Sequence, residues 1–582
     1  MRMSISRSGL LFSACFLLCS GLSVSASAST PDQQFAVVAK TYFEQYLSTH
    51  PEAATQLGDH RFDTRSNDLS AKGVTRDAKL YRETLIALER IPAEKLSPAF
   101  RIDYRILRDD LSASLFSIQV LKEYEWDPLG YNPAQGVYLL LARDFAPLAT
   151  RLGAVQARLD AFPAKLAAAK ANLKNPPRIH TETAIQQNQG AIGLVRDELE
   201  IYLKDAPEMK PKLAASRARA IAALEAHGNW LQKDLLPRST RDFRLGTDKY
   251  RRKLRFSLDS EMAPEAILRS AEADLVSTQN TMHETALPLY RQFFPDKPEA
   301  AVKEMEHKAL IRAVLTRLAD DHPKNDNVVK LAEQDLAEAT AFVREKGLLT
   351  LPPDPVKIIV MPEFQRGVAV AYCDPAGALE KNGETFYSIS PTPADWSAAQ
   401  VESYFREYNV TMLKDLTVHE AMPGHYVQLA IANKATAPTL ARSIIYSGTF
   451  AEGWGTYAEQ MMVEAGYGGA SVKMQQLKMR LRLIINAIID QKIHAGNMSE
   501  EEAMALMIQE GFQEEREAAG KWRRALLTST QLSTYYVGNI EVNNIRRDFE
   551  AKYGKGKLKE MHDQMLSYGT ISAKYIREMM GL

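Results

Sequence analysis

Cysteine is nearly absent. Of three cysteines, Cys15 and Cys19 sit in an apolar N-terminal stretch and only Cys373 lies beyond it. A single remaining thiol excludes an internal disulfide, so stability must come from a buried core. An excess of one charge is also lacking: 72 basic residues face 72 acidic ones. No basic run interleaved with aromatics occurs, which argues against nucleic acid as a partner. After the N-terminal stretch no segment is long and apolar enough to span a bilayer. There is no Gly/Ser-rich linker and no fixed-period repeat, so separable domains and solenoids are not expected. What remains is 582 residues, 45% of them hydrophobic, enough for a large core.

The N-terminus carries a secretory pattern. Arg2 and Arg7 open it, Gly9 to Val24 is mostly apolar, and Ala26-Ser27-Ala28 offers a small-x-small cleavage site. Residues 1–28 are therefore expected to be a signal peptide, placing the mature chain in the periplasm or outside the cell. A lipid-attachment site at Ala14-Cys15 fits only half, because Phe12 is bulky and Cys15 comes early. Residues 29–582 are expected to form one helical unit of two lobes.

Most of that unit shows apolar residues at three- and four-residue spacing, which predicts helices. Clear cases are Gln34–Thr49, Ser70–Ile91, Ala146–Leu173, Thr181–Leu203, Leu213–Leu235 and Pro264–Phe293, with prolines at the joins. The exception lies near 355–390. Val356–Val360, Gly367–Tyr372 and Glu384–Ile389 are rich in β-branched or aromatic residues, which predicts a small sheet. Cys373, beside it, reads as packing rather than as a nucleophile.

Directly after the strands comes His419-Glu420-Ala421-Met422-Pro423-Gly424-His425. Two imidazoles with a glutamate beside the first suggest a zinc site with its general base. The usual helical motif spaces its histidines by four. Here the interval is six, which turns His425 roughly 120° away from His419 on a straight helix. Pro423 has no N–H for the His419 carbonyl, and Gly424 tolerates unusual dihedrals. The helix is therefore expected to break at Pro423-Gly424 and swing His425 back. Glu452, in Phe450-Ala451-Glu452-Gly453-Trp454-Gly455, is the third expected ligand. Glu420 is free to act as base, and Glu459, two turns beyond Glu452, can hold an imidazole N–H. The alternative is a plain helix end with two unrelated histidines.

Arg482, Asn486, Asp490 and His494 recur at four-residue steps on an otherwise apolar helix. They form either a cleft wall, with His494 or Arg482 meeting a carbonyl or carboxylate, or an internal polar ladder. Tyr535 and Tyr536 can offer a phenol to a developing oxyanion. Gln513, Glu514, Glu517, Lys521, Trp522 and Arg524 read as a structural charged helix, although Arg523 and Arg524, like Arg482, are candidates for a substrate carboxylate.

The His419–His425 segment, the Glu452 cluster, Asn486-x-x-x-Asp490-x-x-x-His494 and Gln531–Gly538 together resemble the bacterial family called domain of unknown function 885. Pro51–Asp59 and Met565–Gly569 carry the likeness to both ends of the mature chain. The resemblance implies a mainly α, two-lobed zincin-like (gluzincin-type) fold with a deep channel, similar in plan to helical zinc carboxypeptidases and dipeptidases. It implies Zn²⁺ on His419, His425 and Glu452, with Glu420 as base and Tyr535 or Tyr536 as oxyanion donor. The expected activity is metal-assisted hydrolysis of short peptides, carboxypeptidase- or dipeptidase-like, with His494 as a further donor. The alternatives are another metal-dependent amidase or esterase, and an exported helical binding protein without catalysis.

Overall fold

The computed structural model describes residues 29–353, 355–361, 370–380 and 383–582. The signal-peptide assignment falls on residues 1–28, outside that range. Helix dominates, as the periodicity requires. The first expected helix runs Pro31–Thr49, and Thr30 closes its N-terminus in a capping box with Gln33. The second runs Ala71–Glu89. Downstream come α1 (Leu148–Asn172), α2 (Lys210–Trp230) and α3 (Pro264–Phe293). The helix expected over 181–203 is interrupted: a wider turn at Leu194–Glu198 separates Arg178–Gly193 from Leu199–Asp205.

Three strands follow: β1 (Lys357–Val360), β2 (Ala371–Asp374) and β3 (Phe386–Ile389). β3 is central, with β1 parallel on one side and β2 antiparallel on the other. Of the strand expected at 367–372, positions 367–369 lie outside the described residues, and β2 extends beyond it to Asp374. β2 is an edge strand, so one row of its backbone groups is not used by the sheet.

Six helices complete the frame of the site. They are α4 (Val410–Glu420), α5 (His425–Ala432), α6 (Gly448–Glu464), α7 (Gly469–His494), α8 (Glu515–Leu527) and α9 (Ser533–Tyr553). α7 is nearly buried all round, as its run of Leu and Ile demands. It packs against α3, α9, α4, α6 and α8. One apolar core unites both ends of the chain: Phe35 and Leu107 join Tyr387, Val418, Trp454 and Ile576. A second core, from Val137 to Leu224, is built largely on α1 and α2. Among the described residues, no helix is long and apolar enough to cross a membrane.

Candidate metal centre

The six-residue interval is resolved by a break in the backbone. α4 stops at Glu420 and α5 starts at His425. Between them the amides of Ala421 and Met422 both donate to the Thr417 carbonyl, and the Gly424 amide donates to Val418 at 2.9 Å. The Met422–Pro423 peptide is cis. Gly424 packs so tightly that a Cβ there would lie 1.8 Å from the His419 carbonyl oxygen. The Pro423 carbonyl accepts a 3.0 Å bond from the buried Trp454 indole of α6. The two imidazoles end 4.6 Å apart between ring centroids, almost perpendicular at 84°.

α6 supplies the opposing face. Ser447 caps its start by accepting from Phe450. Glu452 and Glu459 are two turns apart on one side of it. The Glu452 Oε2 atom lies 3.6 Å from His419 Nε2 and 3.4 Å from His425 Nε2. Ligands about 2.0–2.1 Å from a tetrahedral zinc are about 3.3 Å from each other, so the donor set fits such an ion with little adjustment. His419, His425 and Glu452 form the described cluster able to hold a metal, with ligand atoms all within 4.8 Å of one another.

The surroundings fix these groups. The Glu459 carboxylate takes a 2.6 Å bond at His419 Nδ1, which leaves Nε2 to face Glu452. Gly455 makes room for the ring, since a Cβ there would meet His419 Cε1 at 2.8 Å. Gly453 abuts Gly538 and lets α6 and α9 cross closely. Burial opposes ionisation of Glu452, but the bonds from His419 and His425 outweigh it and hold its carboxyl below the ordinary range. Burial likewise opposes charge on His419, and Glu452 with Glu459 overcomes it, raising the imidazole. Replacing Glu459 by Ala is expected to lower metal affinity by about 10- to 100-fold, while the fold survives. Titration of the variant with zinc and a competing chelator measures this; unchanged affinity would show that Glu459 does not orient His419.

Glu420 lines the same cavity as His419, His425 and Glu452 and is held by the sheet. The Cys373 amide, on the free edge of β2, donates to its Oε2 at 3.0 Å. The Cys373 thiol is itself pushed well up by burial and by the charges of Glu420 and Asp374, which suits packing rather than nucleophilic attack. Tyr535 shares this cavity, and its hydroxyl accepts a 3.0 Å bond from Arg524. Burial and the charge of Glu452 raise the Tyr535 phenol above its ordinary value, against the pull of Arg524, so it remains a donor.

Two expected catalytic groups are placed elsewhere. Tyr536 turns to another side of α9, where its hydroxyl bonds Ser270 at 2.9 Å and Asp274 at 3.0 Å. Adjacent residues on a helix diverge by about 100°, so only one of the pair can face the cavity. His494 bonds the Ala525 carbonyl at 2.8 Å and stacks on Tyr250, outside the cavity lining. Its neighbour Asp490 accepts from the Thr530 amide at 2.9 Å and the Ser533 hydroxyl at 2.6 Å. That end of the polar stripe thus anchors the start of α9 and, with it, Tyr535. Arg523 bonds Thr183 and Gln186, away from the cavity.

The sequence reading also missed part of the lining. Glu517, Lys521 and Arg524 of α8, taken as structural apart from Arg524, face the cavity with Arg482 and Asn486. Their four- and three-residue spacing was the available signal. Tyr446 escaped notice as well; it lines this cavity of about 410 Å³ and an adjoining one of about 850 Å³.

Solved relatives share this architecture. A candidate lipoprotein of unknown function from Shewanella oneidensis is 33% identical, with a TM-score of 0.80 over 95% of this chain and 100% of its own. A candidate lipoprotein from Colwellia psychrerythraea, at 17% identity, shares the fold with a TM-score of 0.78 over 95% of this chain and 98% of its own. None of the curated proteins matches the chain. Residues 51–580 match the family described as bacterial protein of unknown function DUF885, and the chain belongs to that family.

Proposed function

We propose that this protein is an exported zinc-dependent peptidase acting on short peptides. One observation carries the reading: two imidazoles and a remote carboxylate converge within 3.4 and 3.6 Å despite an interval that a continuous helix would not allow. The donor set is that of catalytic rather than closed structural sites, since three protein groups leave a fourth position free. A zinc ion held there supplies a Lewis acid and lowers the pKa of water.

The chain's own groups account for the rest. With Oε2 of Glu420 held by the Cys373 amide, Oε1 is left to take the water proton and pass it to the leaving amine. The Tyr535 phenol, oriented by Arg524, donates to the oxygen that gains charge at the scissile carbonyl. β2 offers an extended backbone beside the site, which can align a peptide by strand pairing. A cavity within the usual range for small ligands favours short substrates over folded proteins. The secretory pattern of residues 1–28 supports export.

Elemental analysis of wild type and of His425→Ala, with a peptide-library digest of each, tests the reading. Wild type should carry about one zinc per chain and cleave short peptides. A chelator should stop cleavage and added zinc should restore it. The variant should have neither metal nor activity. A wild-type protein that cleaves equally well without metal would refute the proposal.

A further inference from the structure

The cavity has a second, positively charged pole. Glu517, Lys521 and Arg524 reach it from α8, and Arg482 reaches it from α7. The charges there do not balance. Glu407 is buried between Lys478 at 2.9 Å and Arg482 at 2.5 Å. Glu517 lies 3.8 Å from Arg482. Arg524 donates to Gln531 and to Tyr535, both uncharged. The Lys521 ammonium makes no side-chain hydrogen bond among the described residues and feels the Glu517 charge only at longer range. Lys478, Arg482 and Arg524, joined by Lys521 whenever it is protonated, therefore stand against two carboxylates (Glu407 and Glu517). Glu452 also acts on Arg524, but it belongs to the metal ligands.

Lys521 is only 8% exposed. Burial pushes its ammonium down to about 7, with Arg482 and Arg524 adding repulsion and Glu517 opposing. Uncompensated buried charge is costly, and an anionic ligand relieves it. The arrangement lacks the pairing expected of a purely structural ion cluster, because its least satisfied member lines the cavity. A ligand that spans from the metal ligands to this pole carries a carbonyl at one end and a carboxylate at the other.

We infer that Lys521, assisted by Arg524, anchors a carboxylate of the substrate, so that the protein acts near the free C-terminus of short peptides. The inference rests on the peptidase reading and adds the substrate class. A carboxylate can come from the peptide's terminus or from an acidic side chain, and the test separates the two.

The metal-loaded full chain is assayed on Ala-Ala-Ala, on its C-terminal amide and on Ala-Ala-Glu amide. The Glu420→Gln protein is titrated calorimetrically with the same three peptides. A charge-assisted hydrogen bond predicts that the free acid outperforms the amide by roughly ten- to a hundredfold in kcat/KM and in binding. Recovery with Ala-Ala-Glu amide would assign the anchored group to a side chain; no recovery would assign it to the terminus. Lys521→Met should collapse the acid-to-amide ratio, and Lys521→Arg should restore most of it. The wild-type comparison of acid with amide needs no variant to fold. Equal cleavage of acid and amide would overturn the anchor and leave the peptidase reading standing. Preferential binding of the acid without cleavage of any peptide would do the reverse.

Discussion

Glu420→Gln is expected to bind zinc as wild type does and to lose nearly all hydrolysis, with kcat falling by about 10²- to 10⁴-fold. The reason is geometric. Glu420 is not among the three converging ligands, so the metal keeps His419, His425 and Glu452. Glutamine keeps the size and the acceptor oxygen that the Cys373 amide uses. What it loses is the ability to accept a proton from water at neutral pH. KM should change little, since substrate contacts remain. Metal content and steady-state kinetics on one preparation decide the matter. Normal turnover with full metal would remove Glu420 from the mechanism; loss of metal would make it a ligand or a structural support.

The convergence of His419, His425 and Glu452 was legible in sequence because local chemistry dictated it. Pro423 and Gly424 have no comfortable place inside a helix, and their pairing between two histidines announced the break. Glu459 was legible from its two-turn offset, and it does meet His419. The small sheet was legible from β-branched runs, although which strand lies at the edge was not. Edge position is a property of pairing, and pairing of β1 with β3 across an intervening strand is non-local. The same limit explains what sequence left open. Tyr535 and Tyr536 are neighbours, and only the rotation of α9 decides which one enters the cavity. His494 lies on a stripe whose other members divide: Arg482 and Asn486 line the cavity, whereas Asp490 holds the start of α9. A four-residue stripe drifts around the helix, and over three steps it passes from one neighbour to another. The charged helix α8 read as structural from composition alone, but α8 packs on α7 and turns Lys521 inward, towards the cavity.

Gly424→Ala should be among the most damaging single-methyl changes in the chain. Its added Cβ would stand 1.8 Å from the His419 carbonyl oxygen and 2.4 Å from that of Val418. Both are backbone atoms, and the Gly424 amide is itself bonded to Val418. No rotamer relieves such a contact, so α5 must move away from α4, carrying His425 with it. Stability should fall by about 3 kcal/mol or more, and the metal stoichiometry should collapse. Gly455→Ala provides the contrast. Its Cβ would meet the His419 ring at 2.8 Å, a side chain that can tilt. That variant should stay folded and bind metal more weakly. Gly190, in the helix Arg178–Gly193, has open space where a Cβ would go. Alanine there should stabilise by about 0.4–1 kcal/mol. Denaturant midpoints and zinc content for the three variants form one experiment. A Gly424→Ala protein as stable and as well metallated as wild type would mean that the two helices are not locked together at the break, and that the convergence of His419 with His425 has some other cause.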